Sequence, residues 1–100
     1  MFEHHGLPGL ERWYQSHCND DWEHQYGITI ETLDNPGWKV KIDLKGTKAE
    51  KRTLDWVKVD RSENNWIHYR VKKFQFELAC GALNLSEGLD IFLDWFDGSN

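Results

Sequence analysis

Cysteine is scarce in this sequence, with only Cys18 and Cys80 among 100 residues. Two cysteines without an export signal make no disulfide framework, so they read as free thiols in a reducing compartment, used as small buried hydrophobes. Long apolar runs are missing too. Nothing approaches the ~20 residues that cross a bilayer, so no membrane-spanning helix is expected. Met1 to Gly9 has neither a basic n-region nor an apolar h-region, so no signal peptide is read there, and His4-His5 is too short to be a tag. The expected location is cytoplasmic. There is no P-loop, no G-x-S-x-G and no H-E-x-x-H, which removes the familiar phosphate-binding, nucleophilic and zinc-protease chemistries. No internal repeat or low-complexity tract is present.

What the chain does have is aromatic residues, at 14% with six Trp. That is too apolar for a disordered chain. Trp and Tyr bury a large area while keeping a polar tip, which suits both a small core and an interface. A chain of 100 residues makes one domain. It holds one core but no deep cavity besides, so a functional site is expected on the surface.

Charge is unevenly placed. The net charge is −5. Residues 1–38 carry seven acidic groups and one basic, Arg12; residues 39–76 carry eleven basic and five acidic; residues 77–100 carry five acidic and none basic. Such asymmetry points to a charged partner.

The pattern predicts an α+β fold. Pro8 suits the first turn of a helix, and Leu10, Trp13 or Tyr14, and Cys18 follow at helical spacing from Leu7, giving a helix from Leu7 to Cys18. Asn19-Asp20-Asp21 breaks it. Tyr26 to Leu33 alternates and is β-branched, a strand. Asp34-Asn35-Pro36-Gly37 is a turn in which Gly37 is expected to supply φ > 0. Trp38 to Leu44 alternates most cleanly, with Trp38, Val40, Ile42 and Leu44 facing the core. Lys45 to Arg52 is a polar loop. Thr53 to Asp60 is a third strand whose alternation slips between Trp56 and Val57, as at a bulge. Trp66 to Val71 and Phe74 to Ala79 are two more strands around a tight Lys72-Lys73 turn, with Phe74, Phe76 and Leu78 on one face. Asn84 and Glu87 are placed as a capping box for a terminal amphipathic helix of Leu85, Leu89, Phe92, Leu93 and Phe96, ended by Gly98. The expected architecture is an antiparallel meander sheet of about five strands, packed on one face by N-terminal and C-terminal helices.

Four groups of residues are candidates for chemistry. Cys18, Asp21 and His24 are zinc-compatible types, but no second ligand pair follows at useful spacing, and a solvated acidic turn explains them more simply. Glu23 and His24 as acid and base would point to opposite faces of an extended segment. Lys39, Lys41, Lys58, Arg70, Lys72 and Lys73 are interleaved with Glu31, Asp43, Asp55, Asp60 and Glu77. That is a mixed solvated face, and an acidic protein gains little from counterion release on nucleic acid. The fourth group is acidic. It comprises Asp20, Asp21, Glu23, Glu31 and Asp34, with Glu87, Asp90, Asp94 and Asp97 on the last helix. Acidic patches steer association with basic partners, although composition alone is equally consistent with solubility charge.

The order Trp13-Tyr14-x-Ser16-x-Cys18, Asp21-Trp22-Glu23-His24-x-Tyr26-Gly27-Ile28, Thr32-Leu33-Asp34-Asn35-Pro36-Gly37-Trp38 and Ile42-Asp43-Leu44 resembles the immunity protein 53 family. The likeness is dense from Trp13 to about Thr47 and looser beyond, through Gly81-Ala82-Leu83-Asn84-Leu85. One departure is Asn19-Asp20 before Asp21-Trp22, where the family favours Asp-Gly; Asp20 takes at a cost the backbone conformations that Gly permits. The resemblance implies a protein that neutralises a cognate toxin of a bacterial polymorphic-toxin locus inside the producing cell, by binding and without a cofactor. It brings no catalytic residues with it. The toxin-binding residues expected on this reading are Asp20, Asp21, Trp22, Glu23, His24, Glu31 and Asp34. Trp22 is a candidate anchor, and Trp38 is either a second anchor or pure core. From the charge, the toxin is expected to be basic, such as a nuclease, with no contact to nucleic acid or membrane. The competing expectations are a small metal-dependent or carboxylate enzyme using Asp21, Glu23 and His24, and a scaffold or regulatory domain.

Overall fold

Strict alternation from Trp38 to Leu44 builds the centre of the molecule. Val40, Ile42 and Leu44 are each at most 1% exposed. The computed structural model describes residues 6–98, so the His4-His5 pair lies outside the described residues. Its elements are α1 (Leu7–His17), α2 (Trp22–Gln25), β1 (Ile28–Leu33), β2 (Gly37–Asp43), β3 (Leu54–Ser62), β4 (Asn65–Lys72), β5 (Gln75–Gly81) and α3 (Leu85–Asp97). The five strands form one antiparallel sheet flanked in sequence by N-terminal and C-terminal helices, as expected. The order β1-β2-β5-β4-β3 is that of a meander in which β5 folds back between β2 and β4. Val40 lies opposite Leu78, and Ile42 opposite Phe76, so the two best-alternating strands share the core.

The helices cover one face of this sheet. Trp13 of α1 meets Phe92 and Phe96 of α3 edge-on, with ring centroids 5.1 and 5.4 Å apart. Phe92 in turn meets Phe76 of β5 at 5.0 Å. Such pairs add specific geometry to the burial of large rings. Arg52 clamps the end of α3. Its guanidinium stacks 3.9 Å from the Trp95 ring and donates to the Trp95 carbonyl at 3.1 Å. The loop holding Arg52 is therefore packed rather than merely polar, and Ala49 within it is fully buried.

Four local expectations need correction. Asn84 stands at the start of α3, but its side chain does not cap the helix. It accepts from the Trp66 amide and donates to Asn65, while Glu87 pairs with Arg61 at 2.5 Å. The start of α3 is thereby tied to the β3–β4 turn rather than closed on itself. Gly37 has no positive φ. Glycine is needed there because a Cβ would lie 2.3 Å from the Cys80 carbonyl oxygen across the β2–β5 ladder. The β4–β5 turn is Lys73-Phe74 rather than Lys72-Lys73, with φ of 53° and 65°. Phe74 consequently leaves the core face and is 45% exposed, with Lys45 over its ring. Finally, α2 replaces an expected loop. The expected irregularity of β3 is present, with a register shift between Leu54 and Val57 and another between Asp60 and Ser62.

Candidate functional site

The segment from Asn19 to His24 is organised by two side chains. Asn19 Oδ1 accepts from the amides of Asp21 and Trp22, at 3.0 and 2.9 Å, and so starts α2. Glu23 reaches back from α2, and its carboxylate accepts from the amides of Asn19 and Asp20 at 2.9 and 2.8 Å. This is the reciprocal logic of a capping box, spread over five residues. The hydrogen bond from its own amide, followed by those from Asn19 and Asp20, holds the Glu23 carboxyl below the usual carboxylate range. Asp20 closes the turn with φ 71°, the left-handed region in which glycine is at ease.

Trp22 points inward from this turn. It is 5% exposed, and its Nε1 donates to the Lys45 carbonyl at 2.7 Å. Its ring meets Trp13, Tyr14, His17 and Tyr26. Gly46, at φ +83°, lies beneath it, where a Cβ would come within 3.1 Å of the indole. A Trp flanked by Asp21 and Glu23 resembles an exposed anchor in the sequence. In the fold the flanking acids face water and the indole joins the core. Trp38 is half-buried, with its Nε1 donating to the Ala82 carbonyl at 3.0 Å.

The other expected residues lie along one edge. Asp20, Asp21 and His24 are exposed together at the α1–α2 corner, and Asp21 accepts from Gln25. Glu31 is exposed on the uncovered face of β1, opposite Lys39. Asp34 is exposed in the β1–β2 turn. It is separated from the start of β1 by roughly 20 Å, at about 3.3 Å per residue. The structure thus gathers residues 20–24 at the corner, and leaves Glu31 on the edge strand and Asp34 in the turn that follows it.

Beside that strand runs a feature that neither motif nor composition disclosed. A groove of about 360 Å³ between α1 and β1 is lined by Leu7, Leu10, Glu11, Tyr14, Gly27 and Ile28. Leu7 is 52% and Tyr14 38% exposed. The available signal was the breadth of the α1 stripe: positions 7, 10, 11 and 14 share a helix face that adjoins the Trp13 and His17 side meeting α3, and Leu10 from that face is buried while Leu7 and Tyr14 are left exposed.

The geometry bears on the chemical candidates as well. Among the described residues, no group of three or more His, Cys, Asp or Glu side chains is placed to hold a metal ion. The Glu23 carboxylate is committed to amides and held in its charged form, the opposite of a general base tuned toward neutral pH. Both cysteines are free thiols, and burial raises the Cys80 pKa to about 11. On the uncovered sheet face opposite charges meet. Arg70 donates to Glu77 at 2.8 Å and His68 lies 2.7 Å from Asp60.

The model of the Immunity protein 53 family matches residues 7–97. The chain belongs to that family. No curated protein and no solved structure gives a significant match. The family match runs from the first residue of α1 to the last of α3, so it takes in the corner, the edge strand and the groove. Membership in the Immunity protein 53 family implies an immunity protein with a toxin for a partner, and suggests a non-enzyme.

Proposed function

We propose that this chain neutralises a cognate bacterial polymorphic toxin by binding it directly, through the acidic side formed by the α1–α2 corner and the β1 edge. The family match over residues 7–97 carries this reading. The exposure of Asp20, Asp21, His24, Glu31 and Asp34 supports the choice of face. Glu23 belongs to the same corner, where its carboxylate accepts from the Asn19 and Asp20 amides, and Trp22 holds the corner in place from within. Across residues 6–38, six acidic side chains accompany a single basic one, Arg12. Such a surface attracts a basic toxin, of which a nuclease domain with its phosphate-binding cleft is the leading example. On this reading the chain works as one domain in the cytoplasm of the producing cell, without a cofactor and without contact to nucleic acid or membrane. No helix among the described residues is long and apolar enough to cross a membrane.

Two experiments test it. Co-expression with the toxin domain encoded beside its gene should protect the cells, and failure to protect would remove the reading. Asp21→Lys combined with Asp34→Lys leaves the corner hydrogen bonds of Asn19 and Glu23 intact. It should slow association by roughly tenfold at low salt and flatten the salt dependence, as expected for lost steering. An unchanged rate would move the interface elsewhere.

A further inference from the structure

The two edges of the sheet are built differently. β3 carries two register shifts and exposes Lys58, both of which discourage strand addition. β1 runs in continuous register with β2 from Ile28 to Leu33 and has no bulge, proline or lysine. The Asp43 amide donates to the Gly27 carbonyl at 3.0 Å, which marks Gly27 and Asp43 as a bonded pair. Bonded pairs alternate along an antiparallel ladder. Thr29, Glu31 and Leu33 therefore turn their backbone groups toward β2, while Ile28, Ile30 and Thr32 turn theirs to the open edge. The α1–β1 groove, with Leu7 and Tyr14 in its wall, opens beside the first of these.

We propose, resting on the toxin-binding reading above, that the toxin docks by adding an extended basic segment to the β1 edge and seating an apolar side chain in the α1–β1 groove. Three N–H and C=O pairs would supply the backbone ladder, and the groove would supply the side-chain specificity, the usual division in strand addition. The charge identifies the occupant. Glu11 lines the groove, and Glu31 projects from the middle of the strand. A second copy of this chain would bring two such acidic sides together, which like-charge opposition disfavours. A partner strand carrying Lys or Arg meets no such penalty.

The test uses the full chain and the toxin domain encoded beside its gene. Thr32 is exposed, and its amide faces outward, so Thr32→Pro removes an edge donor and leaves the β1–β2 ladder whole. It should weaken toxin binding about tenfold while the unfolding midpoint stays near that of the parent. Glu11→Lys combined with Leu7→Asp should weaken it comparably from the groove side. In hydrogen exchange, the amides of Ile28, Ile30 and Thr32 should slow when the toxin is added. Parental binding by both variants, with no slowing at those amides, would overturn the docking mode while the toxin-binding reading stood. A parent chain that binds no toxin would overturn the reading itself. Slowing of the same amides without toxin, together with a dimer in sedimentation, would assign the edge to self-pairing instead.

Discussion

Asp20 and Glu23 show how much of the corner rests on two side chains. Asp20 holds φ 71°, in the left-handed region where glycine is at ease. Asp20→Gly should therefore stabilise the fold by about 0.5 kcal/mol, net of the added freedom of glycine in the unfolded chain. Thermal unfolding should move up by roughly 2–4 °C. Glu23 gives the corner a pH dependence. Its carboxyl pKa is lowered in the fold, so its contribution is present at neutral pH and is lost as pH falls below the ordinary value of 4.5 and through the folded one. Glu23→Gln should remove that acid-sensitive part of the stability, which denaturant titrations between neutral and acidic pH would show. Trp22→Ala should cost about 3–5 kcal/mol through the lost ring volume, with the Lys45 carbonyl left without its donor. Circular dichroism during denaturant unfolding would measure it.

Among the elements, the β4–β5 hairpin is the strained one. Two-residue turns with both φ values positive are ordinarily Asn-Gly, and Lys73-Phe74 fills this one instead. Lys73→Asn with Phe74→Gly should stabilise the protein by about 1–2 kcal/mol, measurable as a higher denaturant midpoint at unchanged slope. A lower midpoint would show that Phe74, under the Lys45 ammonium, contributes more than its backbone costs. Elements with a strong period were legible in the sequence: the β2 alternation, the slip in β3 and the apolar stripe of α3. α2 was not, because four residues span barely one turn and show no periodicity. Nor was the true partner of Asn84. Residues Asn-x-x-Glu before an apolar run fit a capping box locally, and only the tertiary approach of Asn65 and Arg61 redirects both side chains.

For the whole molecule, the acids of residues 6–38 are spread over α1, the α1–α2 corner, β1 and the β1–β2 turn, while the basic middle is distributed over the sheet among its own carboxylates. The charge asymmetry was visible in the sequence, but its shape was not. Linear order says nothing of whether Asp20 and Asp34 share a patch, and the fold sets Asp20 in the α1–α2 corner and Asp34 in the β1–β2 turn. The α1–β1 groove was hidden for a similar reason: its walls, Tyr14 and Ile28, belong to elements whose contact depends on the packed chain.

The fold-back of β5 between β2 and β4 also sets the order in which the chain must close. β1–β2, β3–β4 and β4–β5 are each joined by a short or moderate loop, whereas β2 and β5 meet only across the whole β3–β4 excursion. Closing that long loop costs entropy before its contacts return any stabilisation. The β2–β5 seam is thus the expected kinetic bottleneck. Val40→Ala in the seam should slow refolding, whereas Trp22→Ala at the corner should chiefly speed unfolding. In a newly made chain the acidic edge and its hairpin would already be assembled while the strand that buries their other side was still to arrive.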